Sequence, residues 1–261
     1  MRIALGLEYD GEPFHGWQSQ ADGSGVQDAL ERALSSVAAA NIGATAAGRT
    51  DAGVHATMQV VHFDCGGSRP DTAWVRGVNA LLPEAIAVRW ALPVTEDFHA
   101  RFAATGRHYT YLLLDRPVRP ALLRARVGWY HRPLAVEAMQ DAAEALIGKH
   151  DFSAFRAAEC QAKSPLKTLD RIDISREGDV IRFDLHADAF LQHMVRNLVG
   201  ALVYVGSGRE SRAWMRELLE GRDRTRGAPT FAAAGLYLTG VDYHPSWNLP
   251  PTIAPVRLSR C

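Results

Sequence analysis

The sequence predicts an α+β protein built from two α/β halves. Strand and helix patterns alternate as βαβαβ over the first hundred residues, and the same grammar resumes at Arg107. A chain of 261 residues, 47% of them apolar, is also long enough to bury one large or two modest cores. No sequence identity links the halves, so the duplication is one of element order.

Each element has its own signal. Ile3, Leu5 and Leu7 alternate with Ala4, Gly6 and Glu8 and run into the turn Asp10-Gly11, which predicts a first strand. Ser24-Gly25 introduces a helix over 26–39, with Val26, Leu30, Ala33, Leu34 and Val37 on one stripe. A strand is expected over 58–63, a helix over 72–82 stopped at Pro83, and a strand over 85–91. In the second half, 107–114 reads as a strand and 134–147 as a helix ended by Gly148. Segments 168–175 and 180–187 read as a hairpin around Arg176-Glu177-Gly178-Asp179. A long helix over 190–205, started by Asp188, a short one over 211–219 and a last strand over 236–243 complete the pattern. The domain reading is 1–106, 107–245 and a proline-rich tail, 246–261, wrapping the surface.

Charge and cysteines narrow the function. Formal net charge is zero, so global electrostatics do not point to nucleic acid. Residues 101–132, however, hold seven arginines against the single acid Asp115, and a second basic run lies at Arg222, Arg224 and Arg226. Local basic surface on a neutral protein suits a polyanion that must be positioned. The alternative is a solvated face, because the chain has 26 arginines and three lysines. Cys65, Cys160 and Cys261 lack zinc-ligand spacing and read as free thiols in a reducing compartment. With no signal-peptide core and no apolar run near the ~18 residues of a membrane span, a soluble, cytoplasmic protein is expected.

The most informative stretch is Gly48-Arg49-Thr50-Asp51-Ala52-Gly53-Val54-His55. It sets one carboxylate on a tight turn, an arginine two residues before it, and small residues that let a substrate approach. An Asp in a Gly-flanked turn also caps its own backbone, so this stretch alone leaves both readings open. In the helix from Phe190, an apolar stripe (Leu191, Met194, Val195, Leu198, Val199, Leu202) lies opposite His193, Arg196, Asn197 and Gly200. That polar set suits a functional cleft or an exposed face. On strand 107–114, Arg107, Tyr109 and Tyr111 share one face, fit for phosphate binding and base stacking or for an aromatic pair in the sheet. The pairs His55/His62 and His186/His193 are seven apart, which is no zinc spacing, and neither Walker, dinucleotide nor nucleophile-elbow patterns occur.

Taken together these residues resemble the tRNA pseudouridine synthase A family. The likeness runs through Phe14-His15-Gly16-Trp17-Gln18 with Val26-Gln27, then the Asp51 motif, then Ala100-Arg101-Phe102 leading to Arg107-His108-Tyr109-Thr110-Tyr111. It continues through His150-Asp151-Phe152, His193-Met194-Val195-Arg196-Asn197 with Gly200, and Gly235-Leu236-Tyr237-Leu238, leaving the tail outside. The resemblance implies two ferredoxin-like α/β halves sharing a continuous, mostly antiparallel sheet with helices packed on it and a central active-site cleft. It implies a cytoplasmic homodimer that converts uridine to pseudouridine at positions 38, 39 and 40 of the tRNA anticodon stem-loop, with no cofactor, metal, nucleotide or membrane partner.

The resemblance also implies roles. Asp51 is the catalytic carboxylate, as nucleophile or general base. Arg196 pairs with it, Arg49 opens or grips the RNA, Tyr109 stacks on the target base and Leu236 contacts its other side. Arg101, Arg107, Arg124 and Arg126 supply backbone contacts to tRNA. The competing readings are a related synthase with another uridine target, a catalytically silent RNA-binding or RNA-chaperone module, and a hydrolase using Asp51 with His55.

Overall fold

The computed structural model describes residues 1–67, 69–70 and 72–256. In chain order the elements are β1 (Arg2–Tyr9), α1 (Val26–Ala38), β2 (Ala44–Ala46), β3 (His55–Asp64), a π-helical turn (Ala73–Gly77), β4 (Ile86–Val94), β5 (Ala104–Asp115) and β6 (Gly128–Tyr130). They continue with α2 (Val136–Ala143), β7 (Gly148–Asp151), β8 (Leu166–Glu177), β9 (Val180–Ala187), α3 (Met194–Gly206), α4 (Arg212–Gly221) and β10 (Leu236–Tyr243), with short 3₁₀ turns between. Two compact units result: Met1–Gly106 with the chain from Tyr237 onward, and Arg107–Leu236. Each carries a mostly antiparallel sheet with helices, so the α+β class is as expected. The last strand, expected with the second half, pairs instead in parallel with β3 of the first unit (Tyr237↔His55, Leu238↔Ala56).

In the first unit β1 lies between β3 and β4, with Leu5 opposite Val61 on one side and Ala91 on the other. Buried on both edges, β1 takes Ile3, Leu5 and Leu7 into the core and keeps glycine at position 6, where a Cβ would stand 2.2 Å from the Trp90 indole nitrogen. Helix α1 buries Val26, Ala29, Leu30, Ala33 and Leu34, the stripe its periodicity predicts. The helix expected over 72–82 forms over 72–79 with a π-helical centre at Ala73–Gly77, where Val78 N–H reaches back to Ala73 O. That geometry brings Trp74 and Val78 inside together, Trp74 edge-on to Phe63 at 5.0 Å. The tail lies along β10, with Val241 N–H donating to Thr252 O at 3.0 Å and Ala254 N–H to Thr239 O at 2.8 Å. Its last five residues, with Cys261, lie outside the described residues; Cys65 and Cys160 are buried free thiols.

In the second unit the sheet order is β5-β9-β8-β7, and β6 adds in parallel to β5. The β8–β9 hairpin closes at Glu177↔Val180 over Gly178-Asp179, with Gly178 at φ 60 as a two-residue turn requires. Helix α2 tightens into a 3₁₀ turn at Glu144–Leu146 before Gly148, at φ 109, turns the chain into β7, a strand the sequence reading lacks. The helix expected from Phe190 begins only at Met194, because His193 takes a left-handed conformation (φ 61) that no preceding helical turn can continue through. Asp188 therefore caps no helix; its Oδ1 accepts from Thr168 N–H at 3.0 Å and Ala189 N–H at 2.6 Å. Helix α4 starts as read, Ser211 Oγ accepting from Trp214 N–H. Among the described residues, no helix is long and apolar enough to cross a membrane.

Candidate active site

Asp51 sits on the loop between β2 and β3, and the loop is held by its main chain. Gln59 Nε2 donates to Gly48 O at 2.7 Å, Trp17 N–H donates to Thr50 O at 2.9 Å, and Val54 N–H closes a turn on Asp51 O at 3.1 Å. Gly53 completes that turn at φ 76. Thr50, 6% exposed, is anchored by its hydroxyl at 2.8 Å from the Tyr9 hydroxyl, whose own burial pushes it up to about 12. Tyr9 thus stays neutral across the physiological range and can act as a hydrogen-bonding post.

The Phe14–Gln18 motif is the clasp of this loop. Gly16, at φ 91, lies so close that a Cβ there would stand 2.8 Å from Thr50 O and 3.1 Å from Ala52 N, so only glycine fits both the conformation and the space. Gly11 plays the same part against Val54 O. The result is a rigid backbone with the Asp51 side chain half-buried and Arg49 exposed on the same loop. His55 cannot serve as a base toward substrate: it is 2% exposed and stacked on Tyr237 at 4.7 Å. Its Nδ1 lies 3.0 Å from both Gly11 N–H and Asp10 Oδ1, so it accepts from the first or donates to the second. That burial removes the hydrolase reading. His62 is likewise internal, its Nδ1 accepting from Ala100 N–H at 3.1 Å, and burial pushes its pKa down to about 4. Arg101, elsewhere in the first unit, is exposed on the turn after Ala100.

The second unit carries the remaining residues. Tyr109, 8% exposed, is opposite Leu185 on β9, with its ring edge-on to Phe190 at 5.1 Å. Arg107, on the same face, donates from Nη1 to Asp188 O at 2.9 Å. Tyr111, third on that face, is structural: it is fully buried and its hydroxyl donates to Ala232 O at 2.8 Å. Arg196 stands in the first turn of α3, where its Nε donates to Phe231 O at 2.8 Å and its own carbonyl accepts from Phe231 N–H at 3.3 Å. Phe231 also meets Tyr111 edge-on at 5.9 Å. The strap 228–232 therefore ties α3, at Arg196, to the face of β5 that carries Tyr109. Leu236 is buried at the start of β10, placed by Gly235, where a Cβ would stand 2.4 Å from Leu112 O. The basic stretch is not one cluster: Arg107 starts its face of β5, whereas Arg124, exposed, and Arg126, half-buried, belong to the connector that leaves the strand's other end.

The sequence pattern puts Asn197 and Gly200 on a face turned to a cleft or to solvent. Both are buried against protein instead. Asn197 Nδ2 donates to Phe155 O at 2.8 Å, and a Cβ on Gly200 would meet Pro229 O at 2.5 Å. The strap itself, Pro229 to Ala232, went unread; its only signal was that a glycine in mid-helix usually marks a close approach.

A family profile described as tRNA pseudouridine synthase matches residues 7–103 and 142–244. Asp51, Arg49, Arg101, Arg196 and Leu236 fall inside the match, and Arg107, Tyr109, Arg124 and Arg126 fall in the interval between its two parts. The chain is 61% identical over 250 residues to a tRNA pseudouridine synthase A of Dechloromonas aromatica (strain RCB), covering 96% of this chain and 95% of that protein. A tRNA pseudouridine synthase A of Chromobacterium violaceum is 61% identical over 259 residues, covering 99% of each chain. One of Thiobacillus denitrificans is 60% identical over 250 residues, covering 96% of each.

Proposed function

This chain belongs to the tRNA pseudouridine synthase family, and from that premise we propose that it isomerises uridine to pseudouridine at positions 38, 39 and 40 of the tRNA anticodon stem-loop. The N1–C1′ glycosidic bond breaks, the uracil turns, and a C5–C1′ bond forms; the C5 proton leaves and N1 gains one. The reaction is redox-neutral and loses no heavy atom, so its balance calls for no cofactor. Asp51 supplies the carboxylate that opens it, as nucleophile or base. Arg196 and Arg49 bind the RNA substrate, while Arg101, Arg107, Arg124 and Arg126 contact phosphates. The working form is a cytoplasmic homodimer. The observation that supports this reading most is the Asp51 loop, whose backbone is fixed at Gly48 and Thr50 by two other segments and at Asp51 by a turn of its own.

The test is tritium release from tRNA transcripts labelled at uracil C5. Forming the C5–C1′ bond forces that tritium out, so release by the purified protein is the expected result. Binding without release from any tRNA would favour a catalytically silent RNA-binding module.

A target base must leave the helix stack, at a cost of a few kcal/mol. Stacking on Tyr109, worth about 1–3 kcal/mol, offsets much of that. Tyr109→Phe keeps the ring and is expected to stay within about threefold of wild type in kcat/KM, whereas Tyr109→Leu, which keeps bulk but no π face, should lose about tenfold or more. Equal losses in the two variants would count against stacking.

A further inference from the structure

We propose that Arg224, Asn197 and Thr230 form a positioning network that holds the strap 228–232 in place and thereby aims the Arg196 guanidinium; this rests on the reading of Arg196 as a residue of the reaction. The network is a closed triangle. Arg224 Nη2 donates to Asn197 Oδ1 at 3.0 Å and to Thr230 Oγ1 at 3.2 Å, and the Thr230 hydroxyl donates to Asn197 Oδ1 at 2.7 Å. Asn197 is 2% exposed and donates from Nδ2 to Phe155 O. One helical position thus grips the 153–155 turn on one side and the strap on the other.

Arg224 makes no ion pair among the described residues; its partners are an amide and a hydroxyl, and burial lowers its pKa. A half-buried guanidinium with neutral partners is a costly way to gain stability alone. What it provides is direction, because a planar fork fixes both acceptors at once. The strap it fixes lies within backbone reach of α3, at Gly200 against Pro229 O, and delivers one carbonyl, Phe231 O, to Arg196 Nε. With Nε bound there, the plane of the Arg196 guanidinium is set, and so is the direction of its two Nη groups. A shift of the strap by an ångström would turn that plane away, and a displacement of that size costs up to about a hundredfold in rate.

The test compares Thr230→Val, which removes the hydroxyl at nearly constant shape, with Thr230→Ser, which restores it, and with Arg224→Gln. Two readouts are made on the full-length protein. The first is the Arg196 Nε–H resonance in protein labelled with ¹⁵N-arginine, identified by its loss in Arg196→Lys. Its exchange with solvent is expected to quicken about tenfold or more in Thr230→Val and Arg224→Gln and to recover in Thr230→Ser. The second is kinetic: single-turnover tritium release should fall about tenfold in the first two variants with the tRNA Kd within about twofold, and the losses should be non-additive with Arg196→Lys. Arg224→Gln carries the same readouts should Thr230→Val fail to fold. Unchanged Nε–H exchange in both variants would overturn the network's role. Faster exchange with unchanged turnover would leave the positioning intact and overturn the role of Arg196 in the reaction.

Discussion

Asp51→Asn is expected to lower tritium release by about a thousandfold or more while leaving tRNA binding within about twofold. Each tenfold in rate is worth about 1.4 kcal/mol of barrier, so this asks about 4 kcal/mol of the carboxylate, a magnitude in keeping with a group that acts on the bond being broken. The substitution isolates charge from shape. Asparagine has nearly the same outline, and the loop is held by hydrogen bonds to its main chain at Gly48, Thr50 and Asp51 and by glycine at positions 16 and 53. Thermal stability should therefore move by no more than about 2 °C, as for a substitution away from the core. A matched pair of measurements, single-turnover tritium release and filter binding on the same tRNA, separates catalysis from recognition. Turnover within tenfold of wild type would show that Asp51 is not the catalytic carboxylate.

The Asp51 loop was the most legible part of the chain because its physics is local. Gly53 takes a positive φ in a tight turn and Gly16 permits a close approach, with Thr50 O and Ala52 N lying where a Gly16 side chain would be. The long elements were legible too: α1, the β8–β9 hairpin and β10 follow their periodicities closely. What failed did so where tertiary contacts decide. The apolar period of α3 runs back to Leu191, which is buried, yet the backbone there is not helical, because His193 adopts a left-handed turn that no pattern of hydrophobicity encodes. The stretch around Trp74 has helical spacing but widens to seat the indole on Phe63. The short strands β2, β6 and β7, of three or four residues, are defined by the partner they pair with and carry too few residues to show a period.

The polar stripe of α3 shows how a sound pattern can be assigned the wrong partner. Arg196, Asn197 and Gly200 do share a side, and their chemistry is not that of an ordinary solvent face. Asn197 and Gly200, however, meet the 153–155 turn and the strap, and Arg196 Nε binds that same strap at Phe231 O. A sequence can reveal that a helix side is polar for a reason; the segment that meets it comes from 30 residues downstream, and no periodicity spans that distance.

Asp115→Ala is expected to cost about 3–5 kcal/mol of stability. Its carboxylate is 1% exposed and fully engaged. Arg176 reaches it with a bidentate fork, Nη1 to Oδ1 at 2.7 Å and Nη2 to Oδ2 at 2.6 Å, and Leu134 N–H donates to Oδ2 at 2.9 Å. Arg176 Nη2 also donates to Leu134 O at 3.0 Å, so three segments, the end of β5, the end of β8 and the approach to α2, close on one carboxylate. The hydrogen bond to that carboxylate holds the Arg176 pKa above its ordinary value. Replacing such a pair by well-packed apolar residues can be neutral, but removing the carboxylate leaves the Leu134 N–H buried without an acceptor and Arg176 without its counter-charge. Asp115→Asn, which keeps one acceptor and the shape, should lose less, about 2 kcal/mol. Urea unfolding followed by circular dichroism measures both, and the order Ala worse than Asn is as informative as the size. A loss below about 1 kcal/mol in Asp115→Ala would mean that water replaces the carboxylate and that the clasp behaves as a surface pair does. Because Asp115 takes no part in the proposed chemistry, the folded fraction of either variant should release tritium at the wild-type rate, which distinguishes this acid from Asp51 by the opposite pattern of effects.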